Sequence, residues 1–416
     1  MRRWILVAAG GVLLVLAGLA AAFVLYREHE SRNIRGSSSV EFVTTAPPPK
    51  PPTPAELRTI PWPLYGYDEA RTRYPASLRH RPPYRTIWRF RSGSLLEFPP
   101  VVAFRRLYFA SNAGVMWAIS AQTGLRAWSR PTGRCVAASP AVAGRLVIET
   151  FLNRKPCNAS GGGLDGLIVA YQAGGGNVVW QRRIGPSESS PLVANGLVYV
   201  GDWNGKVWAL DAQTGAVRWT SQAGGQIKGG LAISGRTVYV GSYDHHVYAF
   251  DARNGALRWR TGAQLRLGSQ GTFYATPAAA YGRVYIGATD GKVYSFGATS
   301  GDLRWSYGTG GYVYGSPAVW NERVYVGSYS GTFFCFDAAT GEVRWTFQAD
   351  GPISGSATVM DGVVYFSTLR ETTYGLNVLT GRRVWSFPDG KYSPIVADPK
   401  RVYLVGYGSI YGMVER

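Results

Sequence analysis

The chain has 416 residues and a formal net charge of +19, with Gly 53, Tyr 26 and Trp 14 against Met 4. Glycine with β-branched and aromatic residues in this proportion describes many short strands joined by tight turns, and excludes a helical bundle. Residues 1–50 hold six Lys/Arg and three Asp/Glu, so the excess positive charge lies in the body of the chain, where it suits an anionic polymer or lipid surface.

The first element is apolar. Residues 1–3 carry two arginines, and an uncharged run follows from Trp4 to Tyr26. At ~1.5 Å per residue such a run crosses a ~30 Å hydrocarbon core. The expectation is one transmembrane signal-anchor helix over 4–26, with residues 1–3 cytoplasmic. The body then lies outside, on a single pass through the cytoplasmic membrane. The alternative is a signal peptide cleaved at Ala20-Ala21-Ala22, but the apolar run continues through Phe23-Val24-Leu25-Tyr26. Either reading exports the body and disfavours nucleic acid as a partner. Residues 27–59 follow, with Ser37-Ser38-Ser39 and a proline cluster from Pro47 to Pro54. They read as a linker that holds the folded body away from the bilayer.

Residues 60–416 are repetitive. The clearest copies are VYVGDWNGKVWALDAQTGAVRW (198–219), VYVGSYDHHVYAFDARNGALRW (238–259), VYIGATDGKVYSFGATSGDLRW (284–305) and VYVGSYSGTFFCFDAATGEVRW (324–345). The units close on Trp128, Trp180, Trp219, Trp259, Trp305, Trp345 and Trp385, at spacings of 52, 39, 40, 46, 40 and 40. A period near 40 with four strand signals per unit predicts a propeller blade of four antiparallel strands. One such sheet cannot cover both its faces, so the units must stack in a ring.

The last unit lacks its closing strand. That strand is found at the other end, where Tyr84 to Phe90 carries Trp88, 40 residues before Trp128. The N-terminal strand should therefore complete the last blade, giving an all-β, eight-bladed, monomeric propeller with no open sheet edge.

Residues able to do chemistry are few. The four histidines, His29, His80, His245 and His246, have no metal-ligand spacing, and no nucleophile or phosphate-loop motif is present. No catalytic residue and no metal site are expected. Cys135 and Cys157 flank an insertion in the second unit and are expected to form a disulfide in an exported chain. Cys335 reads as a buried small residue, and Asn158-Ala159-Ser160 is a formal glycosylation acceptor. The residues three before each Ser-Pro position are Glu97, Ala137, Glu188, Lys228, Tyr274, Tyr314, Ser354 and Lys391. In a propeller they gather at one mouth of the channel, where Glu97, Glu188, Lys228, Tyr274, Tyr314 and Lys391 would orient a ligand.

The spacing A-x-D-x-x-x-G-x-x-x-W at Ala209/Asp211/Gly215/Trp219 and Ala249/Asp251/Gly255/Trp259 resembles the tryptophan-docking motif of the quinoprotein (PQQ-type) β-propeller family. Relaxed copies keep Gly124/Trp128, Gly176/Trp180, Gly301/Trp305, Gly341/Trp345 and Gly381/Trp385, while Ser120, Gln172, Gly297 and Asn377 replace the Asp. The resemblance implies that these tryptophans, with Trp88, dock each blade on its neighbour. Residues 62–68 and 71–74 also look like the leading segment of quinoprotein alcohol dehydrogenases, although their adjacent cysteine pair is missing. The shared last blade is similar to that of the BamB outer-membrane-protein assembly factors. With the tether, the spacer and the lack of a catalytic constellation, these resemblances imply a non-catalytic interaction scaffold for envelope proteins that needs no cofactor, and the basic surface offers anionic cell-wall polymer as the other partner. The alternative they imply is a membrane-bound oxidoreductase dependent on PQQ and calcium.

Overall fold

The computed structural model describes residues 2–44, 53–155, 157, 165–268, 270–393 and 395–416. The glycosylation acceptor and the prolines at 47–52 lie outside the described residues. Eight four-stranded antiparallel sheets are present. The sixth blade shows the pattern, with strands Ala318–Trp320, Arg323–Gly327, Thr332–Asp337 and Val343–Gln348 in spatial sequence.

Burial follows from stacking. In the fourth blade the second strand, Thr237–Gly241, is buried at every residue, because a blade lies on each of its faces. The outer strand Leu257–Gly262 exposes most of its length and buries Trp259. The seams between blades repeat one contact. The indole N–H of Trp219 donates to Ala252 O of the next blade at 3.0 Å, and that of Trp305 to Ala338 O at 2.9 Å. The Trp219 ring covers Gly255, where an added Cβ would meet the indole at 2.6 Å and where φ is +76°. Glycine is required there twice over, by the close approach and by the left-handed turn.

Ring closure uses the same contact. Tyr84–Arg91 pairs antiparallel with Ser409–Glu415, completing the blade built from Ile395–Ala397 and Val402–Val405. Trp88 then lies on Gly124 of the first blade, as the other tryptophans lie on Gly176, Gly215, Gly255, Gly301, Gly341 and Gly381. Trp385 is the exception: the eighth blade offers no such turn glycine, and its ring packs on Tyr84 at 5.3 Å.

The N-terminal helix runs Arg2–Glu30, and an 18-residue window within residues 12–30 has a mean hydropathy of 1.6, long and apolar enough to cross a membrane. The stretch after it departs from the linker reading of 27–59. Residues 31–44 lie on the propeller: Ile34 exchanges two backbone hydrogen bonds with Ser306, Gly36 N–H donates to Thr340 O, and Val43 N–H donates to Tyr281 O. Serines and prolines suggest a free spacer; Ser306 on the outer strand of blade 5 instead holds it by a single isolated bridge at Ile34.

Candidate functional site: the central channel

One end of the channel is filled by the segment that follows the linker. In six of the eight three-residue inner strands the second residue gives its N–H to this segment. Val102, Val142, Ile233, Ala279, Val319 and Val359 donate in turn to the carbonyls of Trp62, Pro63, Glu69, Ala70, Thr72 and Arg73, at 2.7–3.0 Å. Residues 62–73 thus wind around the inside of the ring and satisfy strand edges that would otherwise lie open. Arg71, fully buried, ties the winding together by donating to Leu231 O, Ser190 O and Pro191 O. Asp68 accepts from Thr72 N–H at 2.9 Å and from its hydroxyl.

Tyr65 rises from this plug as the floor of a cavity of about 60 Å³. Its hydroxyl meets Ser356 at 2.7 Å, and the Arg73 guanidinium lies 4.2 Å from the centre of its ring. Burial pushes the phenol up, but the charge of Arg73 and the Ser356 and Ser316 hydroxyls bring it below its ordinary value. A belt of hydroxyls surrounds this level. Ser190, Thr276, Ser316 and Ser356 accept the backbone N–H of Ser139, Gly230, Thr276 and Ser316, each linking one blade to the next.

The mouth holds most of the ring read from sequence. Glu97, Glu188, Lys228, Tyr274, Tyr314 and Ser354 line the one cavity. Lys391 does not; its ammonium lies 3.8 Å from Glu371 and 4.5 Å from the Tyr407 ring centre, and Tyr392 lines the wall in its place. Lys228 sits 3.6 Å from Glu188 and 4.5 Å from the Trp203 ring centre, and Tyr274 donates to Glu188 at 3.2 Å. Burial, then the nearby Glu188 charge, pushes the Glu97 carboxyl up to about 7. Burial also raises Glu188, against the pull of Lys228. Tyr65 on the floor, and Trp203 and Tyr243 beside the Lys228 ammonium, lie outside the ring of positions aligned on Ser-Pro; the belt itself is marked in sequence by Ser190-Pro191, Thr276-Pro277 and Ser316-Pro317, but not at Ser356.

This arrangement can orient a small polar group but assembles no nucleophile with a base behind it. Among the described residues no group of three or more His, Cys, Asp or Glu could hold a metal ion. Cys135 and Cys157 are bonded to each other, with Cα atoms 5.5 Å apart. Cys335 is buried, and burial pushes its thiol up to about 12.

Comparison with known proteins places this geometry. BamB of Salmonella typhimurium is 25% identical over a match covering 33% of this chain and 46% of that one, so the match spans less than half of the relative. The crystal structure of BamB from Moraxella catarrhalis superposes with a TM-score of 0.64 at 18% identity, covering 80% of this chain and 100% of that one. Quinohemoprotein alcohol dehydrogenase from Comamonas testosteroni superposes at 0.70 and 16% identity, covering 85% and 80%. At these identities the structural likeness is one of fold, and the fold is the PQQ-type propeller. A family model covers residues 132–399, well over half of the chain, and by it the protein belongs to the β-propeller family described from the beta-alanine-activating enzyme.

Proposed function

We propose that the protein is a membrane-anchored, extracytoplasmic docking scaffold whose partners are other envelope proteins, bound at the open mouth of the channel. The observation that carries this is the contrast between a filled channel and an aromatic mouth. The cavity of about 60 Å³ is far below the roughly 300–1,000 Å³ of sites that enclose a cofactor or drug-sized ligand. Tyr314, on the cavity wall, stands with its ring centre 5.1–5.7 Å from those of Tyr274, Tyr312 and Tyr329, and Tyr312 is 52% exposed. Partly exposed tyrosines in mutual contact are enriched among the side chains that anchor protein interfaces. The BamB likeness supports a protein partner, and Arg2 and Arg3 ahead of the apolar run support an extracytoplasmic propeller.

The test is site-specific photo-crosslinking in cells from Tyr312 and Tyr407, at the mouth, against Leu257, exposed on an outer strand. Discrete protein adducts from the mouth positions and few from Leu257 are expected. The same pattern from all three, or none from the mouth, overturns the reading.

A reading without PQQ and calcium is supported by the small cavity above Tyr65 and by bonded cysteines that do not adjoin in sequence. Titration of the full chain with PQQ and calcium should leave tryptophan fluorescence unchanged; saturable quenching lost in Glu188→Ala would instead support the oxidoreductase alternative.

A further inference from the structure

In blades 1, 3, 4, 6 and 7 the side chain at one position accepts hydrogen bonds from the turn before the outer strand, and blade 5 has no side chain at that position. In blade 3, Asp211 accepts from Gln213 N–H, Thr214 N–H and the Thr214 hydroxyl, each at 3.0 Å, and from Arg218 Nη2 at 2.7 Å. In blade 6, Asp337 accepts from the matching four groups of Ala339, Thr340 and Arg344. Asn377 and Ser120 accept from the two turn N–H groups in blades 7 and 1. In blade 5 the position is Gly297 and provides no side chain.

The donors of blade 5 are nevertheless satisfied. Glu41 accepts from Thr299 N–H at 2.7 Å, Ser300 N–H at 3.0 Å, the Ser300 hydroxyl at 2.7 Å and Arg304 Nη2 at 2.7 Å. These are the same four donors, two, three, three and seven residues after the vacant position. A Cβ on Gly297 would stand 1.9 Å from Glu41 Oε2. Gly297 is not in the left-handed region, so the backbone itself does not call for glycine there. The missing side chain makes room for Glu41.

We propose that the blade 5 turn is a receptor for a carboxylate presented by an extended segment, and that residues 31–43 are a latch that occupies it through Glu41 and binds the N-terminal helix to the propeller rim. The flanking contacts fit a built site. Arg283, 1% exposed, donates to the carbonyls of Glu41 at 2.7 Å, Ser37 at 3.0 Å and Val40. Lys292 donates to Arg32 O and Ser31 O, and Gln264 to Glu30 O at 3.0 Å, which brings the hold up to the helix end. Phe42 packs on Tyr281 with ring centres 5.5 Å apart. Burial of Glu41 would push its carboxyl up, but Ser300, Arg304 and Thr299 outweigh it and hold it down to about 2, so the latch keeps its charge through mild acid.

The experiment is limited trypsin digestion of the full chain in detergent, reading cleavage after Arg35, alongside Tm. Arg35 is exposed, but its neighbours Ile34 and Gly36 are pinned by backbone hydrogen bonds. Gly297→Asp returns the carboxylate to the turn and evicts Glu41, so cleavage should rise roughly tenfold or more through local opening while Tm holds. Glu41→Gln should also speed cleavage, with a lower Tm. The double variant Glu41→Gln/Gly297→Asp should regain Tm and remain readily cleaved. Cleavage of Gly297→Asp at the unmodified rate overturns the proposal, as does a double variant that does not regain Tm.

Discussion

Blades 4 and 2 have the same frame and different contents. Blade 4 joins its second and third strands by the short turn at 242–245, whereas blade 2 spends residues 152–165 there and bonds Cys157 back to Cys135. Where Val240 sits in blade 4, opposite Tyr248, blade 2 has Glu149 opposite Val169. Glu149 is fully buried, and among the described residues it accepts Thr150 N–H alone and leaves Oε2 without a partner. A buried carboxylate need not be left so: Asp202 in blade 3 is equally buried and accepts from Gly185, Asn204 and Lys206 N–H and from the Trp208 indole. The difference shows that the repeating seams are strong enough to hold a blade together around an internal defect.

That view can be broken at the seam itself. Trp219→Ala removes the indole that docks on blade 4, and should cost roughly 3–5 kcal/mol in unfolding free energy. Trp385→Ala, at the seam without a docking glycine, should cost visibly less, and equal losses would deny the special role of the Trp-on-Gly contact. Cys157→Ser tests how far blade 2 leans on its staple: opening a loop of this length should cost about 3 kcal/mol in the chain-entropy model.

Glu149→Val, which copies blade 4, should stabilise by roughly 1–3 kcal/mol at pH 7, because it removes an unsatisfied buried group. The sign with pH follows. Burial raises the Glu149 carboxyl well above 4.5, so the folded state holds a proton that the unfolded state has lost. Stability therefore falls as pH rises above about 4.5, and the advantage of the variant should widen over that range in denaturant titrations. The smallest effect is expected at the mouth. Glu97, raised to about 7, contributes a fall in stability between pH 4.5 and 7, and Glu97→Gln should flatten the profile there. An unaltered profile would mean that the Glu97 carboxyl is better solvated than its burial implies.

The fold was legible because its causes are periodic. Tryptophans spaced by about 40 residues, turn glycines and Val-Tyr strands each mark one position in a blade, and Trp88 alone announced the shared eighth blade. The channel mouth was legible in part, since Glu97 and Lys228 keep their step relative to an inner strand while Lys391 does not. The rest depended on chain outside the repeat. Nothing periodic places Tyr65 on the cavity floor or Glu41 in the turn of another blade; both are tertiary contacts over long sequence separations. The vacancy at Gly297 was visible in the sequence, but not what would fill it.

The shared blade has a consequence in time. Tyr84–Arg91 finds its partner in Ser409–Glu415, more than 300 residues later. At translation rates of about 5–20 residues per second, the first strand waits roughly 15–70 s for the last to be made. Contacts of such high order also form slowly once both strands exist. Seven blades can be complete while the ring is still open, and in that interval a second nascent chain offers the same strand as the first. Closure between copies, rather than unfolding, is therefore the error that this architecture most exposes itself to during its own synthesis.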